Sequence, residues 1–180
     1  MLLGISGVGK SFLTRQISEA RPDLLCLSAG TLLRETLKAD PEQLRTSNRD
    51  VILANQMLLS EAVRRARSGK WQQTAILEAH IVIDNGRELI KLPVEAFQSL
   101  DIGGIILVED SVEHIKRRRE TDARFRPDRS LDELVSQQQE SSEAADRYAA
   151  DLDAPIQKVS PIDTMNTLDF IHKLEESSRI

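Results

Sequence analysis

Residues 4–11 read Gly4-Ile5-Ser6-Gly7-Val8-Gly9-Lys10-Ser11, and this stretch decides the fold. It satisfies G-x-x-x-x-G-K-[ST]. In such a loop the glycines let successive backbone N–H groups curl around a polyphosphate, the lysine reaches the outer phosphates, and the hydroxyl meets Mg²⁺. The flanks supply the context that the motif requires. The apolar run Met1-Leu2-Leu3 precedes it, and the helix-compatible segment Phe12-Leu13-Thr14-Arg15-Gln16-Ile17 follows. A helix starting near Lys10 adds its positive end to the same concavity. Gly4, Gly7, Val8, Gly9, Lys10, Ser11 and Phe12 are therefore the expected nucleotide-binding set, with ATP as co-substrate and Ser11 as one ligand of Mg²⁺.

Outward from the loop, short apolar runs alternate with longer helical patterns. Strands are expected at residues 1–3, 24–28, 74–77, 103–108 and 155–159. Helices are expected at 10–20, 30–38, from Asp40-Pro41 to Arg67, 93–100, from Ser111 to about 121, from Ser130 to about 151, and 164–176. Ser111 and Ser130 are N-cap residues by type, and Glu133 stands at the capping-box position after Ser130. Residues 80–93 read as loop or hairpin, with turn chemistry at Asp84-Asn85-Gly86. Strands separated by crossover helices imply a three-layer α/β domain around a five-stranded parallel sheet, a single domain over residues 1–180.

Composition bounds the partners. The 180 residues carry 24 basic and 29 acidic side chains, a net charge of −5, which offers no global attraction to nucleic acid or to an anionic membrane. Aromatics are only 3%, so the core must be built from Leu, Ile, Val and Ala. No apolar run approaches the roughly 20 residues of a membrane span. The one cysteine, Cys26, reads as buried filler within Leu24-Leu25-Cys26-Leu27. With no leader pattern ahead of the loop, a cytoplasmic protein is expected.

Four further clusters sit where a phosphate-loop protein needs them, since ligands of open parallel sheets bind at the carboxyl ends of the strands. Ser28-Ala29-Gly30-Thr31-Leu32-Leu33-Arg34 follows the second strand. Gly30 permits a tight turn there, and Arg34, one turn into the helix, is placed to reach an anion. Glu78-Ala79-His80 ends the third strand. Glu78 is placed to hold Mg²⁺ through water, and His80 to meet substrate phosphate, orient a water or satisfy a loop carbonyl. His80, His114 and His172 lack the spacing of zinc ligands. The basic run Lys116-Arg117-Arg118-Arg119 continues to Arg124, Arg126 and Arg129. Helical neighbours such as Arg117 and Arg118 point about 100° apart, so some must be solvent-exposed or paired with Glu113, Glu120 or Asp122. Arg119, Arg124, Arg126 and Arg129 are favoured as a group to cover charge in phosphoryl transfer. Asn48-Arg49 through Asn55-Gln56 forms either one wall of a substrate cleft or a solvated face.

With these residues in view, the chain resembles the nucleoside monophosphate kinases, most of all the compact adenylate kinases of archaeal type. Gly4–Ser11 is similar to that family's G-x-P-G-x-G-K-[ST]. Ser28–Arg34 is similar to its S-x-G-D-x-L-R, and Ile76-Leu77-Glu78-Ala79-His80 to its strand ending in Asp-Thr-His-Ala. Arg118–Arg126 resembles its short arginine-rich lid. The resemblance covers nearly the whole chain, in order. It implies that Gly30, Thr31, Arg34 and His80 bind a monophosphate acceptor, with Arg34 on its phosphate, and that Lys10, Arg119, Arg124 and Arg126 stabilise the migrating phosphoryl group. It also implies an acceptor flap over about 31–67 and a lid over about 119–129, whose closure would exclude water. Ser6 stands where the family favours proline and Thr31 where it favours aspartate. The Gly-Phe-Pro-Arg of longer bacterial members is absent, leaving Arg87 or Arg49 to fill in for its arginine. Two other classes stay open. A hydroxyl kinase would need a carboxylate base, for which Asp84 or Glu78 is available. A nucleotide-dependent switch would bind ATP with little turnover.

Overall fold

The computed structural model describes residues 1–122 and 126–177, the side chains at 41, 42 and 45 apart. Its elements run β1 Leu2–Leu3, α1 Lys10–Ala20, β2 Leu25–Ser28, α2 Ala29–Leu37, α3 Pro41–Thr46, α4 Arg49–Gln56, α5 Leu59–Ala66 and β3 Ala75–Glu78. They continue β4 Val82–Asp84, β5 Leu89–Lys91, α6 Glu95–Gln98, β6 Ile105–Val108, α7 Val112–Thr121, α8 Leu131–Asp151, β7 Ile156–Val159 and α9 Thr164–Ser177. Five strands form one parallel sheet in the order β2-β3-β1-β6-β7, as expected of the sequence, and β4 and β5 form a separate antiparallel hairpin.

The period of two along the strands sorts the core onto two faces. Leu3, Leu77, Ile105 and Leu107 join one buried cluster with Leu33, Ile52, Leu59, Phe97 and Tyr148. Leu2, Ile76, Ile106 and Val108 join the other with Leu13, Ile17, Ile115, Leu134 and Ile171. Helices thus cover both faces, which is why β6 is apolar at all four positions. The register Leu2↔Glu78 and Ser28↔Glu78 aligns the ends of β1, β2 and β3, so the residues that follow them emerge at one carboxyl edge.

The helix expected from Asp40 to Arg67 is three helices. Asn48 Oδ1 accepts from Val51 N at 3.0 Å and starts α4 afresh. Beyond Gln56 the turn tightens to i→i+3 bonds, Met57 N to Ala54 O at 3.2 Å and Leu58 N to Asn55 O at 3.1 Å, and α5 sets off again. Cys26 is half-buried rather than core, because its strand lies at the edge of the sheet. Residues 80–93 do contain a hairpin. Asn85 Oδ1 accepts from Arg87 N and Glu88 N, both at 2.9 Å, and Asp84 Oδ1 from Gly86 N at 2.9 Å. α8 carries the complete capping box of Ser130 and Glu133. Among the described residues no helix is long and apolar enough to cross a membrane.

Candidate functional site

β1 lies in the middle of the sheet, so the loop that leaves it opens at the centre of the carboxyl edge. Gly4 and Gly7 hold φ of 144° and 82°. A Cβ on Gly7 would stand 2.8 Å from Arg119 Cγ, so the arginine side chain lies directly across the loop there. Lys10 is buried and donates to Gly4 O at 2.7 Å and Ile5 O at 3.0 Å. His80 Nδ1 is 3.1 Å from Gly4 O and 3.4 Å from Lys10 Nζ. A carbonyl only accepts, so the pairing with Gly4 places the proton on Nδ1. Burial, and then the cations Lys10, Arg126 and Arg119, holds the His80 imidazole well below its usual pKa, and the ring is neutral.

Ser11 and Glu78 meet. Ser11 Oγ donates to Glu78 Oε1 at 2.8 Å, and Thr14 Oγ1 to Oε2 at 3.4 Å. A hydroxyl and a carboxylate beside the glycine loop fit Mg²⁺, which keeps several waters and takes few protein oxygens. Thr14 escaped the sequence reading. It lies three residues after Ser11, and residues three apart share a helix face.

The arginines divide in a way the basic run did not foretell. Arg119 Nε donates to Ser6 O at 2.9 Å, and its Nη2 to Gln137 Oε1 at 3.0 Å. Burial lowers its pKa to about 10, which leaves it charged. Arg118 donates to Gly7 O at 2.9 Å and Val8 O at 3.1 Å and forms an ion pair with Asp110. Asp110 is in turn fixed through its backbone by Gln138, from the same helix as Gln137. Arg126 pairs with Asp122 at 3.0 Å. Arg129 reaches away from the loop, to Asp84 at 2.9 Å and Glu133 at 3.1 Å. Arg124 lies outside the described residues. Arg118, Arg126 and Arg129 thus face carboxylates, whereas the hydrogen bonds of Arg119 go to uncharged oxygens.

On the acceptor side, Ser28 caps α2 by accepting from Thr31 N at 3.4 Å. Gly30 and Arg34 are exposed, and Arg34 makes no ion pair among the described residues. Asn48 is exposed and caps α4, Arg49 is exposed and pairs with Glu88 at 3.5 Å, and Gln56 is buried. Asp84, one candidate base, has both oxygens filled. Oδ1 accepts from Gly86 N and Arg129 Nη2, each at 2.9 Å. Oδ2 accepts from Arg129 Nε at 3.1 Å and Gln137 Nε2 at 2.9 Å. Its carboxyl is held below the usual range by these partners, Arg129 foremost, against the opposing effect of burial.

A family model described as an AAA domain matches residues 3–135. Among solved structures, the chain is similar to shikimate kinase from Acinetobacter baumannii, in complex with shikimate. The TM-score is 0.62 at 13% identity, over 99% of this chain and 93% of that one. An uncharacterized protein from Eubacterium ventriosum matches at a TM-score of 0.45 and 9% identity, over 98% of this chain and 96% of that one. No curated protein sequence matches.

Proposed function

We propose that this chain, which belongs to the AAA domain family, is an ATP-dependent phosphotransferase that acts on a small molecule. One observation carries the reading. The buried Lys10 sits within a loop of left-handed glycines, and next to it the Ser11 hydroxyl is held by Glu78 from the neighbouring strand. That is the donor arrangement a triphosphate and its cation require. The loop N–H groups and Lys10 bind the β- and γ-phosphates. Ser11 and, through water, Glu78 would hold Mg²⁺, which when bound neutralises charge on those phosphates. Arg119 covers the charge that spreads over the transferring group, because no carboxylate competes for its hydrogen bonds. Arg126 lies close enough to act on the His80 imidazole and joins it.

The acceptor we infer is a nucleoside monophosphate, in line with the resemblance to adenylate kinases. A phosphate acceptor is already an anion and needs no base. This suits a site in which Asp84 is saturated and Glu78 is engaged by Ser11 and Thr14. Gly30, Thr31, Arg34 and His80 are its binding set, with the exposed Arg34 on its phosphate. A hydroxyl acceptor is the second reading. The observation in its favour is the likeness over nearly the full length to a kinase in complex with shikimate.

The test is ADP release from ATP and Mg²⁺ with AMP, CMP, UMP, GMP, dTMP, shikimate or no acceptor. Stimulation by one monophosphate, abolished in Lys10→Ala, is the expected result. Stimulation by shikimate alone moves the assignment to a hydroxyl kinase. An unchanged slow background with tight ATP binding refutes both in favour of a switch.

A further inference from the structure

A chain of partly to fully buried hydrogen bonds runs from the hairpin to the phosphate loop. It passes from Arg129 to Asp84, from Asp84 to Gln137 Nε2 at 2.9 Å, from Gln137 Oε1 to Arg119 at 3.0 Å, and from Arg119 Nε to Ser6 O at 2.9 Å. We propose that Gln137 and Asp84 are positioning residues that hold Arg119 across the phosphate loop for phosphoryl transfer. This rests on the reading of Lys10–Ser11 as an ATP site.

Chemistry fixes the direction of every link. A guanidinium only donates and a carboxylate only accepts. The Gln137 amide therefore has one permitted orientation, oxygen toward Arg119 and nitrogen toward Asp84. Without Asp84 nothing at the far end would stop the amide from turning its NH₂ group on the cation. Asp84 is itself immobilised by Arg129 and by Gly86 N in the hairpin turn. The chain is sheltered from water, with Gln137 3% exposed, Arg119 8%, and the Asp84 side chain 7%. Buried polar chains of this kind are rigid when complete and costly when one link is lost. The relay also spans distant segments, since Asp84 stands on β4 and Gln137 on α8. Placement of the hairpin thereby becomes a condition for placement of Arg119.

The experiment uses the full chain with ¹⁵N-labelled arginine and follows the Nε–H resonance of Arg119, assigned by its loss in Arg119→Lys. Gln137→Met keeps the volume and removes both links. The expected result is a loss of exchange protection at Arg119 Nε, with kcat lowered about ten- to hundred-fold and KM for ATP within about threefold, the pattern of lost transition-state stabilisation. The double variant Gln137→Glu with Asp84→Asn reverses the polarity of one link and keeps the total charge. It should recover the protected resonance, which a merely space-filling role for Gln137 would not produce, and leave kcat low, because a carboxylate at position 137 offsets the charge of Arg119. A protected resonance and unchanged kcat in Gln137→Met overturns the relay, as does a double variant that folds and does not recover the protected resonance. The resonance decides the relay even if wild-type protein turns over no acceptor, an outcome that would refute the phosphotransferase reading alone.

Discussion

Replacing Gly7 by alanine should destabilise the protein through one identifiable collision. Two costs add. The backbone at Gly7 holds φ of 82°, and an L side chain in the left-handed region costs roughly 1–2 kcal/mol. The new Cβ would stand 2.8 Å from Arg119 Cγ, whereas ordinary carbon contacts begin at about 3.5 Å. Arg119 must retreat by most of an ångström. Its bonds to Ser6 O at 2.9 Å and Gln137 at 3.0 Å cannot both survive that movement. Losing one hydrogen bond to a charged group costs about 1.5–3 kcal/mol. The sum is about 3–5 kcal/mol. In a domain of this size that lowers Tm by about 6–20 °C. A double-mutant cycle measured by denaturant unfolding isolates the collision. In an Arg119→Ala background only the backbone cost remains, so Gly7→Ala should cost about 1–2 kcal/mol there and show a coupling of about 2–3 kcal/mol with Arg119. Additivity within about 0.5 kcal/mol would refute the placement of Arg119 over the loop. Gly9→Ala is the harsher comparison, because its Cβ would meet the ring of Pro161 at 2.6 Å, and a ring yields less than an arginine stem.

Three other outcomes follow. Glu78→Gln keeps a hydrogen-bond acceptor for Ser11 but loses the charge. It should raise the Mg²⁺ concentration for half-maximal turnover about ten-fold or more with Tm unchanged or higher, read from a metal titration. His80 is neutral in the folded protein, while the unfolded chain takes up a proton below about 6.5. The unfolded state then binds more protons, so stability falls as pH drops below that value, by about 1.4 kcal/mol per pH unit until the folded-state pKa is reached. Unfolding midpoints from pH 7.5 to 5 check this, and His80→Gln should lower the slope without abolishing it, since the buried Met1 amine, held down to about 5, also takes up a proton on unfolding across this range, whereas Asp84 and Asp110 add their own loss only below about 3.8, their unfolded value. Ser130→Ala removes the hydroxyl half of the capping box on α8 and should cost about 1 kcal/mol in thermal or chemical unfolding.

The features legible in the sequence are those fixed by neighbours along the chain. The loop Gly4–Ser11, the capping box of Ser130 and Glu133, and the acid closing the apolar run before Ala79 are local patterns. The alternation of strands with crossover helices likewise foretold a sheet covered on both faces. The single helix expected from Asp40 to Arg67 failed for a local reason that the hydrophobic spacing hides: Asn48 is a cap in mid-pattern, and a cap restarts a helix even where the apolar period continues. Gln137 was readable in principle. It falls on the stripe Leu134, Ser141, Ala145, Tyr148 that faces the core, and a polar residue on a core stripe announces a partner. Its partners were not readable, because Asp84 and Arg119 come from elements that only the tertiary fold brings together.

The arginines show why composition alone misassigns such a run. Consecutive helical residues diverge by about 100°, which argues against Arg118 and Arg119 sharing a target. They share one nevertheless, because the loop bends around the end of α7 and offers Ser6 O, Gly7 O and Val8 O in succession. What separates the two is the counter-ion. Asp110 neutralises Arg118 on the outer side of the loop, so Arg118 braces the backbone and adds little field. Asp84 likewise takes up Arg129, while Arg126, though paired with Asp122, still acts on His80 and Arg119. Arg119 is held by a carbonyl and an amide, neutral acceptors that fix its position, and a carboxylate, Asp84, acts on it only from beyond Gln137. The cost appears as its lowered pKa, a cation kept in a poorly solvated place. A developing anion at the loop would relieve that cost, and in the proposed phosphoryl transfer the transition state would draw on the same imbalance. In a chain of net charge −5, the field that matters is set by which few cations are denied a carboxylate.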